Sequence, residues 1–117
     1  MNFVVVDNNK NDLDLFAKAI RKAVPECQIQ PFTDPLLSAK YICNSPVDMV
    51  FIADNMRPVN GFGLLQVLRK NIPKLAVVML SDSDLNRVDA IHAGACDYLL
   101  KPISPHMLSG LVKQLAV

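Results

Sequence analysis

The stretch FVVVDNNKNDLDLFAKAIRKAV, residues 3–24, decides the architecture. Phe3 to Val6 form an apolar, mostly β-branched run without alternation, the pattern of a strand covered on both faces. The polar tract DNNKND follows. Leu13, Phe16, Ala17, Ile20 and Val24 then recur at the spacing of one helical face, and the pattern stops before Pro25. This is one strand–helix unit, and the rest of the chain repeats it four times. The spacing predicts further strands at Gln28 to Phe32, Met49 to Ala53, Ala76 to Leu80 and Tyr98 to Leu100. Helices are predicted from Asp34 and Pro35 to about Cys43, and from about Phe62 to Lys70 with Leu64, Leu65 and Leu68 inward. A fourth helix carries Leu85, Val88 and Ile91 on its inner face, and a fifth bears Met107, Leu108, Leu111, Val112 and Leu115. Asp34-Pro35 and Ser104-Pro105 each set a capping side chain before a proline at the first helical position, where its missing N–H is harmless. Ser81, Asp82 and Ser83 are capping candidates for the fourth helix, and Gly94 is placed to end it.

Alternating strands and helices make a parallel sheet with helices on both faces, a three-layer α/β sandwich. Right-handed crossovers reduce the topologies to a few, of which the doubly wound order 2-1-3-4-5 is the one expected. The 117 residues suit one domain spanning 1–117. Twelve Lys and Arg against eleven Asp and Glu give a net charge of +1, so no bulk field recruits nucleic acid or an anionic membrane. Cys27, Cys43 and Cys96 are odd in number, lack a C-x-x-C pair and lie in apolar stretches, as reduced core residues of a cytoplasmic protein would. Leu75 to Leu80, the longest apolar run, is far shorter than the ~18 residues of a membrane helix. The start MNFVVVD reaches an acid too early for a signal peptide, so a soluble, unprocessed chain is expected. His92 and His106 show no metal-ligand spacing. Met49, Met56, Met79 and Met107 read as core filler.

In a doubly wound sheet the functional crevice lies beyond the carboxyl ends of the strands. That edge collects Asp7, Asn8 and Asn9, then Ala53, Asp54 and Asn55, then Ser81 and Asp82, and finally Lys101 with Pro102. Carboxylates there suit a hard divalent cation such as Mg²⁺, and a phosphoryl group would take Ser81 as donor and Lys101 as point charge. Taken singly, Asp7 and Asn8 read as capping and loop residues, Ser81 as an N-cap and Lys101 as a surface charge. DNNKND has no glycine, which argues against a nucleotide or flavin phosphate loop. Ser81 has no histidine predicted nearby, which argues against a hydrolase.

Three motifs bear a resemblance. AGACDYLLKP, residues 93–102, FVVVDN, residues 3–8, and NMRPVNG, residues 55–61, together make the chain similar to a response-regulator receiver domain over nearly its whole length. The resemblance implies a flavodoxin-like (βα)5 fold in a two-component signalling system, a non-enzyme that accepts a phosphoryl group on an aspartate ending the third strand. It implies Mg²⁺ held by Asp7, Asn8 and the Asn55 backbone, phosphoryl contacts from Ser81 and Lys101, a cis Lys101-Pro102 peptide, and a switch through Ser81 and Tyr98. The departures matter more. Without gaps, Asp48, Asn55, Met56 and Gly61 fall on family positions, and Ala53 then stands where the acceptor belongs. A second register puts Asp54 at the acceptor and gains Pro58, but displaces Met56 and requires a deletion before Gly61.

A one-residue slip turns a strand side chain to the opposite face, so Asp54 could substitute only if the strand end bulged or unwound. Asn8, at the position of the second family acid, removes another negative charge and should weaken Mg²⁺. The expectation is therefore an atypical receiver acting through protein contacts without normal phosphorylation; the alternative is a working receiver using Asp54 with Mg²⁺. Expected partners are a histidine kinase or effector domain, or a second copy through helix four, strand five and helix five. On that face Arg87, Asp89, His92, Asp97 and Lys113 offer mixed charges. Tyr98 is expected in one fixed rotamer.

Overall fold

In a computed structural model, residues 1–57 and 59–115 are described. Five strands, β1 (Asn2–Val6), β2 (Gln28–Phe32), β3 (Met49–Ala53), β4 (Ala76–Ser81) and β5 (Asp97–Leu100), alternate with five helices, α1 (Lys10–Ala23), α2 (Pro35–Asn44), α3 (Gly61–Asn71), α4 (Arg87–His92) and α5 (Pro105–Leu115). The sheet is parallel throughout, in the order β2-β1-β3-β4-β5. The central strands are apolar at nearly every position because both faces are covered. On one face Leu13, Phe16 and Ile20 of α1 and Leu108, Leu111 and Val112 of α5 pack on Phe3, Val5, Phe51 and Val78. On the other, Ile42 of α2, Leu64, Leu65 and Leu68 of α3 and Ala90 of α4 pack on Val4, Val50, Ile52 and Tyr98.

The helix starts follow from side-chain caps. Asn9 accepts from the Asp12 amide, Asp34 from the Leu36 amide before Pro35, and Asn60 from the Gly63 amide. Gly61 opens α3 where the backbone passes close beneath β3: a Cβ there would collide with the Ala53 carbonyl oxygen and lie 2.8 Å from the Asp54 Cα. Gly94 has φ +108°, which turns the chain from α4 toward β5.

Four readings of the sequence are corrected. Leu85, Val88 and Ile91 do not face the core: they are 90%, 64% and 44% exposed, and Ala90 is the residue α4 buries. The helix is only six residues long and starts after Asn86, with no side-chain cap. Ser81, Asp82 and Ser83 therefore do not cap it; Ser81 ends β4, and the Ser81 and Ser83 hydroxyls accept from the amides of Ser83 and Leu85 in the intervening turn. Met107 is exposed, unlike the buried Met49, Met56 and Met79, because the inner face of α5 is taken by Leu108, Leu111 and Val112. The cysteines are not core residues either: Cys43 and Cys96 are exposed and Cys27 is half-buried. Beside Cys43 and Cys96 the buried Ile42 and Ala95 point inward while the thiols point out, whereas Cys27 packs against the α1–α5 side of the core.

Candidate functional site

β1, β3, β4 and β5 deliver polar residues to one edge of the sheet, but the side chains divide into two groups. In the first, the Lys101 ammonium donates to Asp7 Oδ2 at 2.8 Å and to Asp12 Oδ2 at 3.0 Å. Asp7, 3% exposed, also accepts from the Asn9 amide through Oδ1, so both its oxygens are engaged. Burial would lower the Lys101 pKa, but the two aspartates outweigh it and raise it above its ordinary value. Asp12 comes from the first turn of α1. The Lys101-Pro102 peptide is cis.

The second group surrounds Tyr98. Its ring is 1% exposed, and its hydroxyl lies 2.8 Å from the Ser83 carbonyl and 3.1 Å from Asp54 Oδ2. Burial raises its pKa, with Asp54 adding to the rise and a Ser81 contact opposing it. Arg87 lies over the ring, its guanidinium carbon 5.3 Å from the centroid, and donates to the Tyr98 carbonyl at 2.8 Å and to Asp84 at 2.7 Å. Asp54 lines a cleft of about 370 Å³ with Asn55, Ser81, Asp82, Ser83 and Asn86. Lys101 and Asp12 line a different cleft of about 380 Å³, with Phe16 and Pro102; Asp82 borders both.

Ala53 is the last residue of β3, paired with Leu80 and 2% exposed. The ladder does not bulge after it: the Asp54 amide donates to the Leu80 carbonyl at 2.9 Å and the Gly61 amide to the Asp54 carbonyl at 3.0 Å. Ala53 packs in the same core layer as Ile52 and Tyr98, and Asp54, just beyond the strand end, meets that layer through its Oδ2 contact with the Tyr98 hydroxyl. Pro58, which the second register aligns, lies outside the described residues.

The residues present fit Mg²⁺ poorly. Asp7 is held by Lys101, and Asn8 offers an amide whose Nδ2 donates to the Arg57 carbonyl at 2.6 Å. Asn55 is exposed. Among the described residues, no three of His, Cys, Asp and Glu are grouped to hold a metal ion.

Of the predicted face, Asp89, His92 and Lys113 are exposed, whereas Arg87 is turned onto Tyr98, and Asp97 accepts from the Tyr98 amide. Reading the sequence missed Asp12 and the Asp54–Tyr98 contact. The available signal for Asp12 was an acid in the first turn of a helix that begins at the functional edge.

A doubly wound five-stranded sheet with an acid after β1, a hydroxyl ending β4 and a lysine before a cis proline after β5 defines a receiver-type domain. The chain belongs to the response regulator receiver domain family, which it matches over residues 3–113, and is thus a signalling module of two-component systems. It is 30% identical over 112 residues to the regulatory protein VanRc of Enterococcus gallinarum, covering 94% of this chain and 47% of that protein. It is 26% identical over 113 residues to the cyclic di-GMP phosphodiesterase response regulator RpfG of Xanthomonas campestris pv. campestris, covering 92% and 30%. The chain thus spans under half the length of these relatives. Among solved structures, the Francisella response regulator 1452 receiver domain is similar at TM-score 0.86 and 26% identity, covering 98% and 95% of the two chains. The receiver domain of NtrX from Brucella abortus shares the fold at TM-score 0.88 and 24% identity, covering 97% of each.

Proposed function

We propose that this chain is a receiver that signals without being phosphorylated, through protein contacts made by a switch region that its own side chains hold in one state. A single observation carries this reading: the lysine a phosphoryl would contact and the tyrosine its arrival would move already have intramolecular partners. Lys101 is clasped by Asp7 and Asp12, and Tyr98 by Ser83 and Asp54. The acceptor position carries the Ala53 methyl group, which has no oxygen to attack phosphorus. With Asn8 in place of an acid, Mg²⁺ binding is weak. In this reading the protein is a cytoplasmic binding module and not an enzyme, and it meets a histidine kinase or effector domain through α4, β5 and α5.

One observation favours a second reading, phosphorylation of Asp54: its half-buried carboxylate shares a cleft with Ser81. The two separate by adding beryllofluoride and Mg²⁺ to ¹⁵N-labelled protein. The first reading expects no saturable shifts at Ser81, Tyr98 or Lys101. Saturable shifts that vanish in Asp54→Asn would establish the second.

A further inference from the structure

We propose that Leu85, Val88 and Ile91, rimmed by the carboxylates of Asp82 and Asp89, form the docking surface for a basic amphipathic helix of a partner protein; this rests on the contact-mediated function above. Leu85, in the turn before α4, and Val88 and Ile91 of α4 recur every third residue, yet the fold leaves all three to solvent and buries only Ala90 from this helix. Such a stripe is an unfilled half of a helix-packing surface. Its charge selects the occupant. Residues 82–97 contain four aspartates against one arginine and one histidine, whereas the rest of the chain has eleven Lys and Arg against seven Asp and Glu. Arg87, the only arginine of the segment, is turned inward onto Asp84 and Tyr98. Asp82 and Asp89 are exposed and form no ion pair among the described residues.

A second copy across a two-fold axis would set these aspartates against their own equivalents, which electrostatic complementarity disfavours. Nucleic acid and anionic lipid are repelled for the same reason. A helix with Lys or Arg flanking an apolar face satisfies both the stripe and its rim. The contact area is small, so the complex belongs to the weak, transient class.

The test titrates ¹⁵N-labelled full chain with a synthetic helix bearing Leu on one face and Lys on the other, alongside its Glu-for-Lys counterpart. Shifts confined to residues 82–100 with the Lys helix alone support the surface. Val88→Lys, at an exposed position, should abolish binding while leaving the other amide signals in place. Asp82→Asn with Asp89→Asn should weaken binding about tenfold, as loss of two rim charges does. Equal binding of both helices, shifts centred elsewhere, or a sedimenting dimer that Val88→Lys dissociates would overturn the proposal. Intact mass after acetyl phosphate treatment of the same samples reads the underlying function separately. An unchanged mass with no helix bound overturns the surface and leaves that function standing. A phosphoryl gain with the helix bound overturns that function and supports the surface.

Discussion

Tyr98 Oη and Asp54 Oδ2 lie 3.1 Å apart, and this contact puts a carboxylate of the chain itself on the buried aromatic. The hydroxyl has one proton to share between Asp54 and the Ser83 carbonyl. Arg87 then links the same ring to α4, so the position of Tyr98 is coupled to the helix that carries the exposed stripe. The carboxylate just beyond the end of β3 is thereby a structural partner of the buried tyrosine.

Removing that partner should loosen Tyr98. Asp54→Ala is expected to lower stability by about 1 kcal/mol in urea unfolding, the net worth of one side-chain hydrogen bond. It should also lower the Tyr98 phenol pKa, because Asp54 contributes to its rise. An unchanged phenol titration would show that Ser83 alone holds the ring.

The lysine clasp should be far more sensitive. Lys101→Met leaves Asp7 buried without its cation, and breaking a buried pair from one side costs about 3–5 kcal/mol. Asp7→Asn added to Lys101→Met should recover part of that loss. Urea midpoints of the single and double variants check this, and a loss below about 1 kcal/mol would mean the cluster is solvated.

Stability should fall at alkaline pH. Tyr98 and Lys101 both have folded-state pKa values raised above the ordinary 10.0 and 10.5. Below about pH 10 both groups hold their protons in either state, and their contribution is fully present. As pH rises further the unfolded chain releases protons first, and the contribution is lost through the folded values. Urea unfolding from neutral pH to above pH 10 should show this limb, shallower in Tyr98→Phe.

Gly61→Ala should destabilise by about 2 kcal/mol or more, since the new methyl group meets the Ala53 carbonyl and Asp54 Cα, backbone atoms that cannot rotate aside. Thermal unfolding compared with Gly63→Ala, which faces only side chains, is the check. Equal losses would show that the loop simply moves.

Much of this fold could be read from the chain. The apolar runs gave β1, β3, β4 and β5 to within a residue, because strands covered on both faces need no alternation to be recognised, and the expected short strand at Gln28 to Phe32 forms the edge. Asp34-Pro35 and Ser104-Pro105 marked helix starts correctly. The miss at α4 has a physical cause: Leu85, Val88 and Ile91 carry helical periodicity, and periodicity says which residues share a face without saying what covers it. At the site, Asp7 and Lys101 could be placed at one edge from strand ends alone. The clasp by Asp12 and the bond from Tyr98 to Asp54 could not, because both depend on where side chains from separate elements point, and sequence spacing does not encode that. The expectation of buried cysteines failed for a related reason: Cys43 directly follows the buried Ile42, and one step along a helix turns a side chain by about 100°.

The central claim is that the Ala53 position leaves nothing to phosphorylate and that Asp54 is occupied elsewhere. Intact mass spectrometry of the protein incubated with acetyl phosphate and Mg²⁺ tests it most directly. The account predicts an unmodified mass for the wild type and for Asp54→Asn alike. A gain of one phosphoryl group in the wild type, absent in Asp54→Asn, would contradict it.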